Sequence, residues 1–167
     1  MAICGSCLGG NVLKIIFLDV DGVLNDAHTP DRAPGGYIGI NSGMVAQLKR
    51  IIDCTDAKVV LVSTWKSAWD KNPENIKSAD GKYLAECMRN AGIEIMDKTE
   101  DHISNRGEGI AKYLSTKTNV ESWVVLDDDM FADYQKYGII PHLVRTSFGY
   151  GGLTQKHADQ AIAKLNQ

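Results

Sequence analysis

The sequence contains no long apolar run, few aromatic residues and no large excess of charge of either sign. Without a run of about 20 apolar residues, no segment is expected to span a membrane as a helix. The 18 basic and 21 acidic residues give a formal charge of -3, which argues against a protein that coats nucleic acid or an anionic membrane surface. The first residues lack the basic start and apolar core of a signal peptide. We therefore expect a soluble protein of the cytoplasm, without a membrane partner.

Cysteine is also scarce, with four residues in the chain. Cys4 and Cys7 have the Cys-x-x-Cys spacing of a redox pair or of half a zinc site. The pair precedes the first predicted strand, and the sequence has no second Cys-x-x-Cys. We therefore interpret residues 1–13 as a flexible N-terminal extension. Cys54 and Cys87 fall within helical patterns and are expected to be core thiols.

Short apolar runs alternate with amphipathic segments of helical length after residue 13. The runs predict strands over residues 14–18, 58–62, 93–96, 123–126 and 142–145. The amphipathic segments predict helices over residues 41–54, 82–91, 107–115, 130–137 and 154–165. The alternation predicts one α/β domain over residues 14–167, in which a parallel sheet lies between two layers of helices. The active site of such a sheet lies beyond the carboxyl ends of its central strands.

Two carboxylates follow the first predicted strand, at Asp19 and Asp21, and Gly22 then allows a sharp turn. Two like charges at a strand end repel each other. Such a pair persists where a cation neutralises it, or where one carboxylate stays charged while the other exchanges protons. The alternative interpretation is an Asp-rich turn that merely ends a strand.

Three further groups of polar residues lie at strand ends or helix starts. Ser63 and Thr64 end the second predicted strand, where hydroxyls and free backbone N–H groups suit a phosphate oxygen. Arg106 opens a predicted helix and can hold a phosphoryl group or a carboxylate. Asp127 and Asp128 end another strand. Each group alone has an ordinary structural explanation, but together they indicate one site.

In this order, the residues identify the chain as a member of the haloacid dehalogenase (HAD) superfamily of aspartyl-phosphate phosphohydrolases. Its four motifs are matched by Asp19-Val20-Asp21-Gly22-Val23, Ser63, Arg106 and Asp127-Asp128. Further strings resemble the capless branch, which also occurs as a domain of multidomain RNA-repair (Swiss Army knife) proteins. These strings are Ser63-Thr64-Trp65-Lys66, Arg106-Gly107-Glu108-Gly109-Ile110, and Leu143-Val144-Arg145 followed by Gly152-Leu153-Thr154. The resemblance implies a three-layer, Rossmann-like fold without a cap domain.

The resemblance also implies a mechanism. Asp19 is expected to attack phosphorus and form an aspartyl-phosphate, while Asp21 protonates the leaving oxygen and then deprotonates the hydrolytic water. The expected function is a Mg²⁺-dependent phosphomonoesterase acting on nucleic-acid or nucleotide phosphate ends. The alternatives are a small-metabolite phosphatase of broad specificity and a non-catalytic phosphate-binding or interaction module.

The phosphate is expected to contact Ser63 and Arg106. Thr64 is the alternative to Ser63. The third motif usually offers lysine, and Arg106 keeps the charge without acting as a proton carrier, so we expect it to serve as a clamp. Lys112, further along the same predicted helix, is the rival for this role.

The implied Mg²⁺ ligands are Asp19, the backbone carbonyl region of Val20 or Asp21, and Asp128. Asp127 is expected to support the metal through water, a role that Asp129 or Asp133 can also fill. The ligands are hard oxygens of the kind that Mg²⁺ prefers.

The chain has little room for a cap, which in this superfamily is inserted after the first motif or between the second and third. Residues 26–57 and 66–105 accommodate only loops, single helices and a short strand, so we expect an open site with residues 27–39 as a flap beside it. Trp65 and Trp69 follow the second motif. They can stack on a nucleobase, but packing on the sheet is the favoured interpretation.

Overall fold

The computed structural model describes residues 12–100 and 103–167. The predictions for Cys4 and Cys7 fall outside these residues. Within them, none of the helices has both the length and the apolar character needed to cross a membrane.

Five parallel strands form one sheet in the order β3-β2-β1-β4-β5. The strands are β1 (Leu13–Leu18), β2 (Lys58–Leu61), β3 (Ile95–Lys98), β4 (Val120–Asp127) and β5 (Leu143–Arg145). Leu18 at the end of β1 is level with Leu61 of β2 and Leu126 of β4. The residues that follow these three strands therefore meet at one edge of the sheet, where the strand order reverses.

Two apolar clusters lie on opposite faces of the sheet because side chains alternate along each strand. Ile16 and Leu18 of β1 pack in the larger cluster, and Ile15 and Phe17 pack in the smaller one. The helices are α1 (Ser42–Thr55), α2 (Ala79–Asn90), α3 (Arg106–Ser115) and α4 (Gln155–Leu165). Buried residues of α1, α2 and α4 belong to the larger cluster and Ile110 of α3 to the smaller one. The predicted three-layer α/β fold is confirmed, and the described residues form no separate cap.

The predicted helix over residues 130–137 is wrong. The chain forms turns over residues 132–138, in which the N–H of Tyr134 bonds to the carbonyl of Phe131 and the N–H of Ile139 to the carbonyl of Tyr134. Side chains of this segment bind neighbouring elements: Tyr134 donates to Asp127, and Asp133 accepts from the start of α3. These contacts hold the segment in a short turn that cannot continue as a helix.

Cys54 is exposed, so the prediction of a core thiol is wrong for this residue. It lies at the margin of the buried stripe of α1, which includes Leu48, Ile51 and Thr55. Cys87 is half-buried and packs against the larger cluster. Cys54 therefore lies in the helix that the sequence predicted but not on its buried face.

Candidate active site

Three carboxylates converge at the edge where β1 and β4 end. Asp19 directly follows β1, and its backbone N–H donates to the carbonyl of Leu126 in β4 at 2.9 Å. Asp127 ends β4, and Asp128 is the next residue. One oxygen from each of the three carboxylates lies within 4.8 Å of the others. The parallel register of two adjacent strands thus creates a compact group of acidic oxygens.

Asp127 is fully buried and has both oxygens occupied by donors. Its Oδ2 accepts from Arg106 Nη1 at 2.6 Å and from the Tyr134 hydroxyl at 2.7 Å. Its Oδ1 accepts from the backbone N–H of Asp129 at 3.0 Å. A buried carboxylate requires such compensation. Asp127 is therefore a fixed anchor of the site.

Arg106 lies between two of the carboxylates. Its Nη1 is 3.3 Å from Asp19 Oδ2, in addition to its hydrogen bond with Asp127. Its guanidinium carbon lies 4.3 Å above the centroid of the Phe131 ring. Burial alone would lower the pKa of Arg106, but Asp19 and Asp127 raise it well above its ordinary value. Its buried Nε has no hydrogen-bond acceptor among the described residues, so the side chain retains a donor for a further oxygen.

Asp19 is buried, with 6% of its surface exposed. Burial raises the pKa of Asp19 well above its ordinary value, against the opposing effect of Arg106, and the nearby Asp127 contributes to the increase. Burial and Asp127 also raise the pKa of Asp128. The single guanidinium of Arg106 does not fully compensate three close carboxylates. This group of oxygens therefore fits a divalent cation.

Asp21 is held outside this group of three carboxylates. Its Oδ1 accepts from Asn25 Nδ2 at 2.9 Å, and its Oδ2 accepts from Trp65 Nε1 at 3.0 Å. Asn25 in turn accepts from the backbone N–H of Gly22 at 3.0 Å, which fixes the turn after β1. The Asp21 carboxylate is therefore oriented by two donors from different segments.

Trp65 and Trp69 are buried, with 7% and 6% of their surfaces exposed, and both pack in the larger apolar cluster. The interpretation that they pack is confirmed. The bond from Trp65 to Asp21 was not predicted. The sequence could indicate only that a buried indole N–H requires an acceptor. It does not identify Asp21 as that acceptor.

Gly22 allows Asp128 to approach the turn after β1. Its φ of +82° lies in the left-handed region, and a Cβ at this position would lie 2.3 Å from Asp128 Cγ. The Gly22 carbonyl accepts from the Thr146 hydroxyl at 2.6 Å. Sequence reasoning assigned Gly22 to the turn but missed Thr146, which comes from the loop after β5.

Ser63, and not Thr64, faces the carboxylates. Ser63 is fully buried, and its hydroxyl lowers the pKa of Asp19 against the larger effect of burial. It also accepts from the backbone N–H of Trp65 at 3.3 Å, which starts a short 3-10 helix. Thr64 is exposed. The burial of Ser63 and its effect on the pKa of Asp19 favour Ser63 as the hydroxyl beside the candidate nucleophile.

The remaining candidates lie around this centre. Asp133 accepts from the backbone N–H groups of Gly107 and Glu108 at 3.1 and 2.9 Å, so it holds the start of α3 in place. Asp129 contributes a backbone N–H to Asp127, and its carboxylate accepts from Met130. Lys112 is exposed and lines a separate groove along α3. Of the two predicted cations, Arg106 is the one placed beside the carboxylates.

Comparison with known proteins identifies the class. The chain matches the family described as the HAD domain in Swiss Army Knife RNA repair proteins over residues 15–158, and it belongs to that family. A solved structure similar to this chain is the cobalt-bound form of the deoxy-D-mannose-octulosonate 8-phosphate phosphatase from Haemophilus influenzae. The identity is 17%, the TM-score is 0.45, and the match covers 93% of this chain and 90% of that one. No curated protein matches the chain. Membership of the HAD superfamily supports phosphatase chemistry.

Proposed function

We propose that the protein is a Mg²⁺-dependent phosphomonoester hydrolase that forms an aspartyl-phosphate and acts on nucleic-acid or nucleotide phosphate ends. The observation that carries this proposal is the position of Asp19, which lies between Arg106 and Ser63 and beside two further carboxylates. Its cellular location is expected to be the cytoplasm.

Asp19 is the proposed nucleophile. One of its oxygens attacks phosphorus opposite the leaving oxygen, and the P–O bond to the leaving group breaks as the new bond forms. Arg106 and Ser63 are close enough to Asp19 to bind the phosphoryl oxygens that carry charge during transfer. The unpaired Nε–H of Arg106 supports this assignment.

Asp21 is the proposed acid and base. It protonates the leaving oxygen in the first step and accepts a proton from the attacking water in the second. Its hydrogen bonds with Asn25 and Trp65 keep the carboxylate in one orientation. Its separation from the group of three carboxylates supports a role distinct from that of Asp19.

The cation would be held by Asp19 and Asp128, together with the backbone carbonyl region of Val20 or Asp21. Asp127 would act through water, because both of its oxygens already accept hydrogen bonds from protein groups. When bound, a divalent cation reduces the repulsion between a carboxylate nucleophile and an anionic phosphate.

The proposed substrate class rests on the RNA-repair description of the family and on the absence of a separate cap from the described residues. A site without a cap is accessible to the end of a long chain. A small-metabolite phosphatase and a non-catalytic module are the competing outcomes of the test.

The test measures hydrolysis of p-nitrophenyl phosphate with Mg²⁺ and with a chelator, for the wild type and Asp19→Asn. We expect Mg²⁺-dependent turnover in the wild type and background turnover in the variant, with no loss of folding stability because the amide preserves the shape of the side chain. Normal turnover by Asp19→Asn would contradict the mechanism. A panel of 3′- and 5′-phosphorylated oligonucleotides, nucleotides and sugar phosphates then identifies the substrate class.

A further inference from the structure

A cavity of about 320 Å³ opens beside the Asp21 carboxylate. Besides Asp21, its walls come from three segments: Tyr37 from the flap, Thr64 and Ser67 from the short 3-10 helix after β2, and Ser78 and Asp80 from the start of α2. Under the proposed function, Asp21 delivers a proton to the leaving oxygen. The leaving group must therefore lie next to Asp21, and this cavity is the space available to it.

The flap wall of the cavity is held in place before any substrate arrives. Asp80 Oδ1 accepts from the backbone N–H of Gly35 at 2.8 Å, and the Tyr83 hydroxyl accepts from the N–H of Ile40 at 2.9 Å. The carbonyl of Tyr37 accepts from the N–H of Ala33 at 2.9 Å, which closes the turn. Tyr37 is 67% exposed at the end of this turn. The Tyr37 ring is therefore exposed, and the backbone that carries it is held by hydrogen bonds.

The cavity is negatively charged, whereas Arg106 provides positive charge where the phosphoryl group is expected to bind. Besides the proposed acid Asp21, the cavity wall carries the Asp80 carboxylate, and among its described lining residues none is lysine, arginine or histidine. A second phosphate on the leaving group would therefore meet repulsion here. The hydroxyls of Thr64, Ser67 and Ser78 and the Asp80 carboxylate are suitable partners for sugar hydroxyls, and an exposed tyrosine ring can stack on a base.

We infer that this cavity is the leaving-group subsite, and that it selects phosphomonoesters whose leaving group is an uncharged nucleoside over those whose leaving group carries a second phosphate. Asp80 and Tyr37 are its specificity-determining residues. The inference rests on the proposed function and selects one of its two substrate classes: nucleoside monophosphates are favoured over nucleic-acid ends, whose leaving group carries further phosphates.

The test compares kcat/KM for adenosine 3′- and 5′-monophosphates with kcat/KM for adenosine 3′,5′-bisphosphate, and p-nitrophenyl phosphate serves as the reference substrate. For the wild type we expect the better monophosphate to exceed the bisphosphate at least tenfold. Asp80→Asn removes the charge but keeps an oxygen that can accept from Gly35, and it should reduce this ratio several-fold. The matched control is Asp53→Asn, at the far end of α1 from the site, and it should leave the ratio unchanged.

Two further variants make the test independent of the Asp80–Gly35 bond. Ser67→Lys places a cation in the wall and should raise kcat/KM for the bisphosphate relative to the monophosphate. Tyr37→Ala should lower kcat/KM for an adenosine monophosphate more than for ribose 5-phosphate, because the sugar phosphate has no base to stack.

The outcomes separate this inference from the proposed function. Mg²⁺-dependent hydrolysis of p-nitrophenyl phosphate with equal use of mono- and bisphosphate would overturn the subsite alone. The subsite would also be overturned if Asp80→Asn and Ser67→Lys fold normally and keep the wild-type ratio of kcat/KM between monophosphate and bisphosphate. If no ester is hydrolysed, the proposed function fails and the subsite fails with it.

Discussion

At the scale of single residues, Arg106 is the cation that compensates the buried carboxylates of the site. It is 4% exposed and compensates the fully buried Asp127 as well as Asp19. Arg106→Met would leave two buried carboxylates without their cationic partner, and we expect a loss of about 3–5 kcal/mol in the free energy of unfolding. Urea denaturation measures this loss.

Two variants control for this effect. Arg145→Met removes an exposed guanidinium that donates to the Asp128 carbonyl and should cost less than about 1 kcal/mol. Adding Asp127→Asn to Arg106→Met should recover part of the loss, because the buried charge is then removed as well. An Arg106→Met protein with the stability of the wild type would show that the ion pair contributes nothing net.

Trp65 is a positioning residue for the proposed acid. Trp65→Phe removes the N–H that donates to Asp21 but keeps an aromatic ring in the core. General acid catalysis contributes a factor of about 10²–10⁴ to a rate, and we expect kcat to fall by part of this factor. The loss should be larger for alkyl phosphates than for p-nitrophenyl phosphate, whose leaving group does not need a proton. Trp69→Phe is the matched control, and an equal loss for both types of ester would assign Trp65 a structural role only.

At the scale of elements, we expect the stability of the cap that begins α4 to depend on pH. Thr154 accepts from the N–H of His157, and the N–H of Thr154 donates to His157 Nδ1 at 3.2 Å. Burial lowers the pKa of His157 below 6.5, so folding favours the neutral ring. This contribution to stability is complete above pH 6.5, the value in the unfolded chain, and is lost as the pH falls through the folded value.

His157→Gln keeps an acceptor at this helix position without a titrating group. The free energy of unfolding of the wild type should therefore fall more steeply between pH 7 and pH 5 than that of the variant. Urea denaturation at several pH values measures both slopes. Equal slopes would show that the cap does not respond to protonation of His157.

The sequence predicts the strands and helices that position the site, but it does not predict the side-chain contacts that complete the site. The apolar runs and helical stripes identify all five strands and four helices, because burial on a parallel sheet imposes those periods. The same reasoning brings Asp19, Ser63 and Asp127 to one edge. It misses the bonds made by Tyr134 and Thr146, which depend on how segments distant in sequence pack together. The false helix at 130–137 has the same cause, since Asp133 and Tyr134 bind other elements.

At the scale of the whole molecule, the site joins parts of the chain that are distant in sequence. Asp19 follows β1, Ser63 follows β2, Arg106 opens α3, and Asp127 and Asp128 end or follow β4. A ligand that binds this centre therefore links the central strands and stabilises the fold as a unit. By mass action, a cation at 100 times its dissociation constant adds about 2.7 kcal/mol to the free energy of unfolding.

We accordingly expect saturating Mg²⁺ to raise the melting temperature by roughly 5–10 °C, since 1 kcal/mol corresponds to about 2–4 °C for a chain of this size. Differential scanning calorimetry measures the shift without requiring substrate or activity. Asp128→Asn should lose most of the shift, because an amide oxygen is a weaker ligand than a carboxylate and Asp128 belongs to the group of three carboxylates. Asp53→Asn removes the same charge at the far end of α1 and should keep it. An equal shift in both variants would place the cation elsewhere on the molecule, and no shift at millimolar Mg²⁺ would contradict a magnesium site at this edge of the sheet.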